Sequence, residues 1–162
     1  MDTRNKILPL DQLVSKVNEH KSRGQRIVLA NGCFDVLHVG HTRYLEGAQR
    51  EGDVLVVAVN GDQSVRALKG EGRPVLSADA RARLVAGLAA VNYVVVFEEP
   101  DVTRLLSTLR PDVHAKGTDY TADTVPERET AHRLGVRIAI VGDPKRHSTR
   151  DLLARLRAPS HA

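Results

Sequence analysis

The chain has 162 residues, 41% hydrophobic and 27% charged, which fits one globular domain with a short extension and excludes a disordered or low-complexity chain. Aromatic residues make up only 3%, so the core must be built from Val, Leu, Ile and Ala, the material of a parallel sheet covered by helices rather than of an all-β sandwich. The net charge of +4 comes from scattered residues with no basic run and no basic-aromatic stripe, which argues against nucleic acid and for small anionic ligands as partners.

In chain order, residues 1–25 read as an N-terminal helical extension, with Leu10, Leu13, Val14 and Val17 on one face of a helix over 10–21. Short apolar runs at 27–30, 54–59, 94–97 and 138–141 read as buried parallel strands, with 113–115 a weaker fifth. Helical patterns over 40–49, 78–90, 101–109, 125–134 and 149–156 separate or follow them. The alternation predicts an α/β fold: a doubly wound, mostly five-stranded parallel sheet with helices on both faces, spanning 26–157. Residues 158–162 read as a frayed tail.

The single cysteine, Cys33, excludes an intramolecular disulfide and a four-cysteine zinc site. The first residues lead into no apolar stretch of the kind a secretory leader needs, and no segment approaches the roughly 20 apolar residues that span a bilayer. A cytoplasmic protein with no membrane partner is therefore expected.

Open α/β sheets bind ligands beyond the carboxyl ends of their strands, near the point where strand order reverses. The segments to search are therefore 31–41, 60–73, 116–120 and 142–149. The richest is Asn31-Gly32-Cys33-Phe34-Asp35-Val36-Leu37-His38-Val39-Gly40-His41, which follows a strand and opens a helix. Gly40 lets backbone approach a ligand closely, and the helix beginning there aims its N–H groups and positive dipole end at the turn, as a phosphate requires. His38 and His41, three residues apart, are placed to face the same anion. Each histidine alone also fits a structural role. Metal ligation would require further ligands that the neighbourhood lacks, and Cys33 as a nucleophile sits in an apolar strand-end context.

The block resembles the nucleotidylyltransferase superfamily, whose mark is His-x-Gly-His after the first strand; His38-Val39-Gly40-His41 fits it. Gly32-Cys33-Phe34-Asp35 looks like the Gly-x-Phe-Asp lead-in of the cytidylyltransferase-like branch. Further along, Asn60-Gly61-Asp62, then Lys69-Gly70-Glu71-Gly72-Arg73-Pro74-Val75, Arg81 and Lys116-Gly117-Thr118-Asp119-Tyr120 resemble the adenylyltransferases acting on heptose 1-phosphate. His147-Ser148-Thr149 matches the position of the family's Ser-Thr phosphate-binding turn. Cys33 departs from the Thr or Val frequent there, and His147 and Arg150 flank the Ser-Thr pair where relatives often differ.

The resemblance implies a Rossmann-like nucleotidyltransferase that moves AMP from ATP to D-glycero-β-D-manno-heptose 1-phosphate, releasing pyrophosphate. It would be a stand-alone form of an activity fused in some bacteria to a sugar kinase, since 162 residues leave no room for a kinase. Glycerol 3-phosphate cytidylyltransferase shares much of the pattern, and a nucleotide-binding protein without turnover is the non-enzymatic alternative. As catalytic residues the resemblance implies His41, His38, Lys69 and Arg81. Nucleotide contacts fall to Cys33, Phe34, His38, Gly40, His41, Lys116, Gly117, Asp119, Ser148 and Thr149. Substrate contacts fall to Asp35, Asn60, Arg73 and Tyr120. No protein ligand for a metal is expected; Mg²⁺ would be held through the triphosphate. A homodimer is expected, as in relatives. Taken singly, the charged residues also fit solvated faces, Asp119-Tyr120 an ordinary turn, and Ser148 a helix cap.

Overall fold

The computed structural model describes residues 2–144 and 146–158; of the tail expected over 158–162, all but Ala158 lie outside the described residues. A 3₁₀ turn at Thr3–Lys6 precedes α1 (Leu10–Ser22). Then follow β1 (Ile27–Gly32), α2 (Val39–Gln49), β2 (Val54–Asn60), α3 (Asp62–Lys69), α4 (Ala78–Ala86) and β3 (Tyr93–Phe97). The chain continues through α5 (Thr103–Leu109), β4 (Val113–Lys116), α6 (Arg128–Leu134), β5 (Arg137–Ile140) and α7 (Thr149–Arg157).

All strand pairs are parallel, in the order β3-β2-β1-β4-β5. Successive side chains of a strand point to opposite faces, and both faces here are apolar. Val28 and Ala30 of β1 with Leu55, Val57 and Val59 of β2 pack against Leu45 and Ala48 of α2 and Ala82, Val85 and Ala86 of α4. Ile27 and Leu29 with Val54, Val56 and Ala58 pack on the opposite side against α1, α5 and α6. The chain runs outward from β1 through β2 to β3, then returns to the other side of β1 with β4. The order therefore reverses between β1 and β4, at the carboxyl ends that carry Gly32 and Lys116.

Helix α1 packs on the core: Leu13 and Val17 are fully enclosed against the sheet, each contributing about 1.5–3 kcal/mol of apolar burial, and the Leu8 N–H donates to Val94 O. Two elements differ from the sequence expectation. Residues 62–69, expected to be loop, form α3; its pattern is hard to see because Val65 is the one apolar side chain it buries, while Leu68 faces solvent. Helix α4 stops at Ala86 rather than near residue 90, with Gly87 at its end.

Candidate active site

The loop from β1 into α2 turns sharply, with Phe34 and Val36 both in the left-handed region (φ 49° and 58°). That conformation costs a β-branched residue of order 1–3 kcal/mol and persists only where the surroundings enforce it. Here they do. The Phe34 ring is buried beneath His41, centroids 5.3 Å apart, and stacks toward Tyr44. Tyr44 spans the place where β1 and β4 stop pairing: its hydroxyl accepts from Asn31 N–H (3.3 Å) and donates to Ala115 O (2.7 Å).

His38 caps α2. Its Nδ1 accepts from Gly40 N–H (3.1 Å), and its own N–H donates to His41 Nδ1 (3.3 Å). The rings stack with centroids 3.9 Å apart. With each Nδ1 accepting, the neutral form of both rings carries its proton on Nε2, which makes Nε2 the donor side of each. Gly40 is required here, because a Cβ would come within 2.9 Å of the His38 ring and 3.6 Å of His147 O. The same closeness lays the segment before α7 across the turn. The Thr149 hydroxyl donates to Asp35 O (2.7 Å), while Ser148 accepts from Asp151 N–H and donates to the Asp151 carboxylate (2.7 Å). A hollow of about 80 Å³ beside it is lined by Arg146, His147, Ser148, Asp151, Leu152 and Arg155.

Three of the expected site residues are engaged by the protein's own chain. Arg81, expected to reach the phosphates, is fully enclosed: Nε donates to Leu76 O (2.9 Å), Nη1 to Cys33 O and Asn60 O (2.6 Å each), and Nη2 to Asp62 (2.9 Å). It joins the ends of β1 and β2, the start of α3 and the loop before α4. Asp35, expected at the substrate, has no exposed side-chain surface and accepts from Arg73 Nε (2.7 Å) and from the Val75 and Leu76 N–H groups (2.9 and 3.0 Å). Burial alone would raise its pKa, but those three donors outweigh it and hold the carboxyl below the usual range. Asn60 is 5% exposed, its amide donating to Ser64 Oγ (2.8 Å) and its carbonyl accepting from Arg81. These three brace the loops around the turn.

Lys69 is exposed on the last turn of α3, and Arg73 is largely enclosed beside Asp35. Cys33 is half-buried, and burial pushes its thiol up, against service as a nucleophile. At the end of β4, the Lys116 ammonium sits 4.5 Å from the Tyr120 ring centroid and 3.9 Å from Glu127 Oε2. Gly117 leads into the exposed Asp119, whose carboxylate lies 3.0 Å from where a Gly117 Cβ would stand. His41, His38, Gly40, Phe34 and Thr149 thus gather at one side of the β1–β4 reversal, and Lys116, Gly117 and Tyr120 at the other.

Sequence reasoning gave no site role to Tyr44, Asp62, His114 or Glu127. Tyr44, one turn after His41, carried the signal of an inward position; Glu127 lies in a polar stretch that gave none. Among the described residues, no group of three or more His, Cys, Asp or Glu is placed to hold a metal ion, and no helix is long and apolar enough to cross a membrane.

An all-parallel sheet with a capped histidine turn at its strand-order reversal defines an α/β nucleotidyltransferase fold. Residues 29–152 match the cytidylyltransferase-like family model, and the chain belongs to that family. It is 43% identical over 159 residues to the bifunctional protein HldE of Geotalea uraniireducens, covering 98% of this chain and 32% of that one. It is also 43% identical over 151 residues to HldE of Geobacter sulfurreducens, covering 93% and 31%. The chain thus spans about a third of the length of these relatives. Among solved structures it resembles the lipopolysaccharide core biosynthesis protein of Thermoplasma volcanium, with a TM-score of 0.63 and 28% identity, covering 75% of this chain and 100% of that one. The fold alone is shared with pantoate-beta-alanine ligase of Francisella tularensis, with a TM-score of 0.68 and 17% identity, covering 91% and 72%.

Proposed function

We propose that the chain transfers AMP from ATP to D-glycero-β-D-manno-heptose 1-phosphate, giving ADP-heptose and pyrophosphate. The carrying observation is the reciprocally capped His38–His41 turn, with both rings and the amino end of α2 at the sheet's reversal point. The heptose phosphate is supported by the resemblance of the 69–75 and 116–120 segments to heptose 1-phosphate adenylyltransferases, alongside 43% identity to the bifunctional protein HldE along nearly the whole chain.

Such a reaction asks for positioning and charge stabilisation more than for covalent help. The acceptor's phosphate oxygen, already ionised at neutral pH, attacks the α-phosphorus in line, and the α–β bridging oxygen leaves with pyrophosphate. No general base is needed. His41 donates to the α-phosphate as charge builds on its oxygens, and His38 donates along the phosphate chain. Thr149 and Ser148 at the start of α7 hold the outer phosphates, and Lys69 approaches from α3. Arg73 is released from Asp35 to the acceptor phosphate. Lys116, Gly117, Asp119 and Tyr120 hold the nucleoside.

Mg²⁺ would be carried on the triphosphate oxygens and shield their charge; the fit is to a metal held by substrate and water, since Asp35 accepts from the Val75 and Leu76 N–H groups and Asp62 pairs with Arg81. A homodimer, as the family resemblance implies, acting in the cytoplasm completes the proposal.

The test is pyrophosphate release with Mg²⁺, crossing ATP and CTP against heptose 1-phosphate and glycerol 3-phosphate. Turnover confined to ATP with the heptose phosphate is expected. Turnover confined to CTP with glycerol 3-phosphate would overturn the substrate while leaving the chemistry.

A further inference from the structure

We propose that Glu127 is a positioning residue of the nucleotide site, its buried carboxylate holding the Lys116 ammonium at the carboxyl end of β4. The inference rests on the reading that Lys116 contacts the nucleotide.

Glu127 is 3% exposed and sits immediately before α6. One carboxylate oxygen accepts from the Val102 N–H (3.4 Å), at the start of α5. The other, Oε2, is buried without a hydrogen-bond partner and lies 3.9 Å from Lys116 Nζ. A buried carboxylate left so is costly unless a cation stands beside it, and Lys116 supplies that cation.

At 3.9 Å the attraction is charge to charge, with no hydrogen bond between the two groups. The ammonium is therefore held in place without spending its N–H donors on Glu127, which leaves them for an oxygen of the nucleotide. The Tyr120 ring face, 4.5 Å away, supports it from another side.

The surroundings make Glu127 decisive. Burial draws the Lys116 pKa down, and Glu127 first, then Asp119, oppose that loss of charge. Asp119 is exposed and so screened by water, whereas Glu127 is not. His114, two residues back on β4, adds no charge: its Nε2 meets Asn31 Oδ1 at 3.0 Å, its Nδ1 has no partner, and burial draws it down to about 3. β5 places the apolar Ile140 opposite Lys116.

The experiment measures ATP affinity by calorimetry from pH 7 to 10 for the wild type, Glu127→Gln and Lys116→Met, with CTP run alongside and melting curves for each. Glu127→Gln keeps an oxygen for Val102 N–H but removes the charge. The pH at which its affinity falls from its own plateau is expected to drop by at least one unit relative to wild type, by loss of an opposite charge within about 4–6 Å. A profile of unchanged shape, whatever the melting temperature, would overturn the proposal. If Lys116→Met binds both nucleotides as wild type does, the reading of Lys116 fails and the proposal with it. If Lys116→Met weakens binding while Glu127→Gln keeps the wild-type profile, only the role of Glu127 falls.

Discussion

Replacing Arg81 by Met is expected to destabilise the protein far more than a lost ligand contact would. The guanidinium is fully enclosed and donates four hydrogen bonds of 2.6–2.9 Å, three to backbone carbonyls and one to Asp62. Met fills much of the volume but donates nothing. Asp62 is 44% exposed, so water takes over its carboxylate; the carbonyls of Cys33, Asn60 and Leu76 lose their partner in or near the interior. At about 1–3 kcal/mol for each unsatisfied buried acceptor, and allowing for relaxation and entering water, the loss is about 3–5 kcal/mol. A domain of this size moves about 2–4 °C per kcal/mol, so the melting temperature should fall by about 6–20 °C. Arg81→Lys should recover little, because a single ammonium does not span four acceptors on separate segments. Thermal melts, with and without saturating ATP, provide the assay. A variant that melts like wild type but binds ATP poorly would refute the reasoning and return Arg81 to direct phosphate contact.

Gly40→Ala should move the His38 ring, whose atoms stand 2.9 Å from the new Cβ, and lower kcat/KM by about 10²-fold with little change in melting; an unaltered kcat/KM would count against the turn's role. His41→Ala should lower kcat by about 10²–10³, the usual loss for one transition-state donor, as pyrophosphate release reports; near-wild-type turnover would remove it from the mechanism. Asp35→Asn should cost about 3–5 kcal/mol near neutral pH, by urea unfolding, because Arg73 loses its buried partner. Since the folded Asp35 is held below its unfolded value of about 4, its contribution is present above that pH and lost as pH falls toward the folded value. The gap between wild type and Asp35→Asn should therefore narrow below about pH 4; a constant gap down to pH 2 would show that the charge is not what Asp35 contributes.

What the sequence made legible follows from period and punctuation. The Val-rich runs and one-face helical spacings marked each strand and most helices, because a parallel sheet buried on both faces leaves little else for those segments to be. The His-x-Gly-His turn was legible through its setting, a Gly-x-Phe-Asp lead-in after a strand and a helix beginning at the glycine, since each histidine alone also fits a structural role. Helix α3 was not, since one buried valine between flanking glycines carries no detectable period. The enclosure of Arg81 and Asp35 was not legible for one reason: charge in a motif reads as exposed, and only the folded chain reveals that carbonyls and N–H groups from distant segments converge on both. Glu127 was invisible because its partners, Val102 and Lys116, approach it only through the packing of α5, β4 and α6.

The most direct measurement is the stereochemical course at the α-phosphorus, followed with an ATP analogue bearing a chiral α-thiophosphate. A single in-line displacement by the acceptor phosphate at the His38–His41 turn predicts inversion. Retention would contradict it, by requiring a nucleotidyl-enzyme intermediate that the direct attack excludes.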